Sequence, residues 1–268
     1  MCQIIGQDRL RTIIDNYSIQ TLPKTLMLLG PDGCGKHTFA KYISNRFSLD
    51  YLEISDNLTS TGLDDFLYKT VSTLYVINLD IISEKQQNQI LKFIEEPSKS
   101  VYVILLASSE AGVLNTVLNR CIKYYFEPYT REQLEQITKC HFSDLAYKMF
   151  TTPGKLTNLT NNSFNELITL AKSVVFQINY MSYPAALGIS TKINYKDLYS
   201  KVDFKLFFDA IEFIAFEDFK INNTEQSFKV FKVTNQFRQQ AARQNLNKEI
   251  LMLNYLTTLW ETLHYDLN

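Results

Sequence analysis

At 268 residues, 46% hydrophobic and 21% charged, the chain is long enough to bury a sizeable core, as one large domain or as roughly two to three small ones. Its 27 basic and 28 acidic side chains leave a formal charge of −1, so it is no polycation, and nucleic-acid contact would have to come from a local patch or from partner subunits. Other classes fall away on pattern: no uncharged apolar run of roughly 18 residues exists to cross a membrane, and the N-terminal stretch reaches Asp8 and Arg9 too early for a signal peptide. Cys2, Cys34, Cys121 and Cys140 are scattered without a CxxC pair, and His37, His141 and His264 are equally dispersed. Neither a zinc site nor a disulfide framework is expected, and a reducing cytosol fits.

In chain order, residues 1–128 alternate short apolar runs with helical patterns, the rhythm of βαβ units. TLMLLG (25–30) reads as a buried strand ending in a glycine-rich turn, followed by the helical HTFAKYISNRF (37–47). LYVINLD (74–80) and VYVILLASS (101–109) are two further apolar runs. Between them Ser83 and Gln86 form a capping-box pattern, Ile90, Leu91, Phe93 and Ile94 give an apolar face, and Pro97 stops the helix. Strands this apolar are covered on both faces, which predicts a parallel sheet. Past Pro128 the strand signals fade. TREQLEQITKCHF (130–142) and DLAYKMF (144–150) are helical, TTPG (151–154) is a break, and everything from about 163 onward reads as helix, with NLNKE as a hinge capped by Asn245 or Asn247. An α/β front with an all-α tail predicts separate domains.

The chain has only eight glycines, and three of them, Gly30, Gly33 and Gly35, fall in GPDGCGKH (30–37) between a strand and a helix. This is G-x-x-x-x-G-K up to its last slot. Such glycines let successive backbone N–H groups converge on phosphate oxygens at a helix N-terminus, and Lys36 would reach the β- and γ-phosphates. The next position should carry a hydroxyl for Mg²⁺. Here it is His37, with Thr38 one place late, and imidazole is a poor ligand for a cation that demands oxygen. The acidic pair that should end the second strand is missing too: Asn78 stands near its place and Asp80 comes later, near the following turn. The loop reads as inherited and its hydrolytic chemistry as lost.

Several stretches taken together resemble the clamp-loader branch of the AAA+ proteins, most closely the delta-prime subunits of bacterial DNA polymerase III. They are IIGQ (4–7), LPKTLMLLGPDGCGK (22–36), NQILKFIEEPSKSVYVILLASS (88–109), VLNTVLNRC (113–121), TPGK (152–155) and LNKEILMLNYLTTL (246–259). The chain departs from the pattern where Asn119 replaces the serine of the family's Ser-Arg-Cys segment. It also lacks any cysteine between Lys36 and Asp80, where many members carry a zinc module, which implies a short, zinc-free member. The resemblance implies a RecA-like α/β domain over 1–128, a helical lid over 129–162 and a helical collar over 163–268. It makes Arg120 an arginine finger for a neighbouring subunit's nucleotide and Lys155 a sensor-2 residue, and it puts Ser108 and Ser109 at the sensor-1 position. Read from the residues alone, the alternative for Arg120 is a surface arginine paired to a carboxylate and for Lys155 a solvated turn lysine, while Glu95 and Glu96 either end a helix and contact a neighbour or orient backbone, or are solvated helix-end glutamates. Cys34 and Cys121 read as small packing residues.

The expected function is therefore that of a non-hydrolytic, cytoplasmic clamp-loader subunit. It would work with a gamma/tau-like motor, a delta-like subunit, a sliding clamp and primer–template DNA, with no membrane partner. ATP or ADP would bind, if at all, without efficient hydrolysis, through Gly30, Gly33, Gly35, Lys36, His37, Thr38 and Lys155. Two rivals stand beside it: an active clamp-loader ATPase and a stand-alone P-loop kinase-type enzyme. A basic stripe of Lys229, Lys232, Arg238 and Arg243 interleaved with Phe228, Phe231 and Phe237 is a candidate phosphate contact, though its aromatics fall on core spacing.

Overall fold

A computed structural model of the chain describes residues 4–54, 71–157, 159, 161–194, 202–241 and 247–265. It divides into two compact units, Met1–His141 with Phe150–Thr157, and Phe142–Met149 with Asn158–Asn268.

The first unit is built on a five-stranded, all-parallel sheet: β1 (Thr25–Leu29), β2 (Asp50–Ile54), β3 (Thr73–Asn78), β4 (Val101–Ala107) and β5 (Ile122–Tyr125), in spatial order β2-β3-β4-β1-β5. Every residue of β1 and β4 is buried, because these two central strands are covered on both faces. Side chains alternate between the two faces, as strand geometry requires. On one face Met27, Leu29, Tyr75, Ile77, Val103 and Leu105 meet Ile90, Phe93, Ile94 and Val117. On the other, Leu26, Leu28, Val76, Ile104 and Leu106 meet Leu10, Ile14, Phe39, Ala40 and Ile43.

The three apolar runs are thus β1, β3 and β4. The sequence reading passed over β2 and β5, whose residues are partly exposed at the sheet edges. The second run ends as a strand at Asn78, where a short 3₁₀ turn, Leu79–Ile81, takes over. The Ser83–Gln86 capping box is formed, and the helix it starts comes in two pieces, Glu84–Gln89 and Leu91–Glu95, ending before Pro97. A second capping box, Thr130 with Gln133, starts the helix Arg131–Thr138, and Lys139 in the left-handed conformation (φ 55°) ends it. Of the expected break at TTPG only Thr151 and Thr152 are non-helical; a single helical turn, Pro153–Leu156, begins inside it with proline at its first position.

Among the described residues, the second unit is helical apart from a two-residue parallel ladder, Ile193–Asn194 with Val202–Asp203, which the all-helix expectation did not contain. Its long helices are Phe204–Asn222, Glu225–Ala241 and Lys248–His264. The first two form a hairpin whose turn is fastened by Asp218, which accepts from the hydroxyls of Ser227 and Thr224 and from the Asn222 amide. Asn247 caps the last helix through the N–H groups of Glu249 and Ile250. The alternative cap, Asn245, lies outside the described residues. Phe207, Phe208, Ile211, Val230, Tyr255 and Leu256 are buried among these helices, and the Tyr255 hydroxyl is paired with Thr234 at 2.9 Å.

Candidate nucleotide loop and exposed arginine

The glycine loop leaves the carboxyl end of β1 and enters the helix Lys36–Phe47. Gly33 (φ 78°) and Gly35 (φ 96°) occupy the left-handed region that other residues avoid. Each carbonyl from Gly30 to Cys34 has a protein donor. The Lys36 ammonium donates to the Gly30 carbonyl and, at 3.3 Å, to that of Pro31. The Thr152 hydroxyl donates to Asp32 (2.9 Å), the Gly154 N–H to Gly33 (2.8 Å) and the Tyr129 hydroxyl to Cys34 (2.7 Å). Carbonyls anchored in this way are what a phosphate cradle needs on its outer side, since the N–H groups converge where the carbonyls diverge. The loop is therefore anchored through its carbonyls, with left-handed glycines of the kind a phosphate cradle uses.

The metal side of the site does not fit. His37, in the hydroxyl slot, faces Glu53 on β2, with Nδ1 3.3 Å from Oε1. Thr38 is exposed. The Asn78 side chain accepts from the Asp80 N–H at 3.1 Å, and Asp80 in turn spends both carboxylate oxygens on Ser108, one on its N–H (2.9 Å) and one on its hydroxyl (2.6 Å). Asp80 and Ser108 thus bond each other at the sheet end where hydrolytic chemistry would need a free carboxylate and a free sensor. These residues form no oxygen cage for a hydrated cation.

Lys155 follows Gly154 in the turn that packs on the loop. A Cβ built on Gly33 would meet the Thr152 hydroxyl at 2.9 Å and the Lys155 nitrogen at 3.2 Å. The candidate sensor-2 segment and the phosphate loop are therefore one assembly. Sequence reasoning missed two of its parts, Tyr129 and Thr152. Thr152 at least sat inside the TPGK motif, whereas Tyr129 carried no pattern. Tyr129 also packs on Gly6, where a Cβ would come within 2.8 Å of its ring. Beside it, buried Gln7 brackets residue 127, donating to its carbonyl (2.9 Å) and accepting from its N–H (3.0 Å). That is the local work of the IIGQ segment.

Arg120 lies elsewhere. In the register of β1 with β5, Leu26 is level with Ile122, so Arg120 precedes the amino end of β5 while the glycine loop follows the carboxyl end of β1. At about 3.3 Å per residue, roughly 15–20 Å of strand separate the two. The side chain is one-third exposed and is gripped by two partners. Nε and Nη2 lie 3.1 and 3.2 Å from the two oxygens of Glu95, and Nη1 donates to the Thr116 carbonyl at 2.9 Å. A surface arginine paired to a carboxylate, the residue-level alternative, is thus what the isolated chain contains, and Glu95 is that carboxylate. Next to it, burial pushes the Cys121 thiol up to about 12, and burial also raises that of Cys34, so both stay protonated as packing residues should.

Two of the four cations in the tail's basic stripe are paired. Lys229 pairs with Glu225, and Arg238 bridges Asp209 (2.9 Å) and Glu212 (2.7 Å). Phe237 is buried, Phe228 and Phe231 pack on Phe219 and Phe216, and Arg243 lies outside the described residues.

Comparison with known proteins agrees with the resemblance read from the motifs. Residues 67–130 match the family model described as DNA polymerase III, delta subunit. A 115-residue stretch is 25% identical to the DNA polymerase III subunit delta' of Bacillus subtilis (strain 168). That match covers 41% of this chain and spans only 33% of the relative's length. Among solved structures, a point mutant of RuvB from Thermotoga maritima superposes with a TM-score of 0.51 at 15% identity, over 82% of this chain and 79% of that one. A DNA polymerase III gamma-subunit-related protein from Thermotoga maritima gives 0.48 at 14% identity, over 97% and 100%. The fold is that of an AAA+ P-loop protein followed by helices, and the chain resembles the clamp-loader family, delta-prime subunits among them. Among the described residues no helix is long and apolar enough to cross a membrane.

Proposed function

We propose that the chain is a delta-prime-like clamp-loader subunit that does not hydrolyse ATP itself and supplies Arg120 to the nucleotide of a neighbouring ATPase subunit. The observation that carries this reading is the separation of the two charged features: Arg120 stands at the opposite end of the sheet from the chain's own glycine loop, exposed at the surface. A guanidinium so placed has no phosphate of its own chain to serve, whereas a second chain's phosphoryl group can approach it. Charge stabilisation by such an arginine is worth roughly 10³–10⁵ in rate.

The glycine loop supports the other half of the reading. It keeps a phosphate-compatible backbone, but Lys36 is turned onto loop carbonyls, His37 onto Glu53, and Asp80 onto Ser108. Nucleotide binding there, with Gly30, Gly33, Gly35 and Lys155, would be structural rather than catalytic. In this reading residues 1–128 act as the AAA+ domain, 129–162 as a lid and 163–268 as a collar that joins the other subunits. The partners are a gamma/tau-like motor, a delta-like subunit, the sliding clamp and, through the complex, primer–template DNA in the cytoplasm. Reconstitution with motor subunits tests it, by comparing DNA-dependent ATPase for the wild-type chain and Arg120→Ala. Normal assembly with lost rate is the expected result. An undiminished rate excludes the trans arginine, and ordinary turnover by the purified chain alone excludes the non-hydrolytic assignment.

A further inference from the structure

We infer that Glu95 is the positioning residue for Arg120, holding the guanidinium so that its terminal edge faces out toward the phosphoryl group of the neighbouring chain; this rests on the trans-arginine reading above. A guanidinium carries five N–H donors in a rigid plane. One N–H of Nη2 donates to Glu95 and one N–H of Nη1 to the Thr116 carbonyl, while Nε lies 3.1 Å from the other Glu95 oxygen as an ion pair. One N–H remains on each terminal nitrogen. That is the number a phosphate needs for two-point recognition.

The two grips come from different directions in the fold. Glu95 ends the helix that precedes β4, and Thr116 lies four residues before Arg120 in the helical turn Asn115–Leu118. Together they fix both the position and the plane of the group. A long, free arginine would have to give up its rotamer freedom on meeting the nucleotide, and here that ordering is done in advance.

Energetics favour positioning over a structural role. The pair is open to solvent, with 33% of the Arg120 and 53% of the Glu95 side chain exposed. Exposed ion pairs add little to folding, with fork-shaped arginine–carboxylate pairs at the upper end of that small range. The neighbouring helix end is already held by buried Ile94, whose carbonyl accepts from Thr25. Folding therefore depends little on Glu95, and its geometry is spent on Arg120.

Steady-state ATPase of the complex assembled from this chain and its motor subunits, at saturating primer–template DNA, tests the inference with Glu95→Gln, Glu95→Ala, Arg120→Ala and the double variant Glu95→Ala/Arg120→Ala. Expected is a kcat roughly 10- to 100-fold lower for Glu95→Ala, with KM for ATP, assembly and melting midpoint unchanged, a smaller loss for Glu95→Gln, and no further loss when Glu95→Ala is added to Arg120→Ala. A raised kcat would make Glu95 a restraint instead of a guide and overturns the inference. So does a Glu95→Ala loss that persists in the Arg120→Ala background. If Arg120→Ala is itself silent, the trans-arginine reading fails. If Arg120→Ala is severe and Glu95→Ala silent, only the inference fails. A second readout needs the isolated chain alone: the ¹⁵N relaxation of the Arg120 Nε–H, expected to be rigid in the wild type and mobile in Glu95→Gln. Equal mobility in both overturns the assignment.

Discussion

At the carboxyl ends of β1, β3 and β4 the chain turns its polar groups on itself, whereas ahead of the amino end of β5 it holds one cation at the surface. The first end carries the glycines and the lysine of a phosphate loop, with Lys36 bonded to its own loop and Asp80 bonded to Ser108. The second carries no recognisable nucleotide motif of its own, yet its Arg120 keeps N–H donors to offer. In the reading proposed above, the phosphate-loop motif serves as a fastening for neighbouring segments instead of as a catalytic site. A residue with no local target is meaningful when its orientation is controlled.

Substituting one residue at each end is the sharpest way to break this contrast, and it carries the largest expected effect. In the assembled complex Arg120→Ala should lower DNA-dependent ATPase by roughly 10³-fold or more. Lys36→Ala in the same chain should leave the rate within about twofold, because the lysine serves only its own loop. In an ordinary P-loop enzyme the order would be reversed, and finding it reversed here would restore the active-ATPase rival.

The next effect tests whether the loop is a fastening. Gly154 lies so close to the loop that an added Cβ would sit 2.6 Å from the Gly33 Cα, a backbone atom that cannot swing aside. Gly154→Ala should cost about 1–3 kcal/mol, as overpacking does, and lower the melting midpoint by several degrees. Gly112→Ala is the control, since nothing lies within 4 Å of a Cβ there. Equal midpoints for the two variants would mean that the TPGK turn is not docked on the loop. Smaller again, Tyr129→Phe should cost about 1 kcal/mol by leaving the Cys34 carbonyl without its donor. A thermal melt of the intact chain measures both.

How much of this was legible follows from sequence distance. β1 and β4 announced themselves because a strand covered on both faces is a plain apolar run. DYLEI and IKYY did not, because an edge strand mixes charge and aromatic residues, and only the finished parallel register makes them strands. In the site, Gly30, Gly33, Gly35, Lys36 and the misfit at His37 came from spacing within eight residues, GPDGCGKH. The donors from Tyr129 and Thr152 lie 95 and 120 residues from the carbonyls they satisfy, beyond the reach of any local pattern. Glu95 was visible as part of the EEP run, but its pairing with Arg120, 25 residues on, emerged only from the packing of two short helical segments.

The smallest expected effect concerns magnesium, and it separates a loop that has lost its metal from one that has kept it. Where a hydroxyl and an acidic pair hold the cation, nucleotide affinity rises when Mg²⁺ is added, because the ion links the phosphates to the protein. Here His37 faces Glu53 and both Asp80 oxygens are engaged by Ser108, so the cation gains no protein ligand. The shift in melting midpoint produced by millimolar ADP, whatever its size, should be the same with Mg²⁺ as with EDTA to within about 1 °C. Ligand linkage converts a tenfold gain in affinity, at ligand well above Kd, to about 1.4 kcal/mol, which a chain of this size would register as a few degrees. A magnesium-dependent rise of that order would place an oxygen ligand at the loop after all. It would also reduce the contrast between the two ends of the sheet to one of degree.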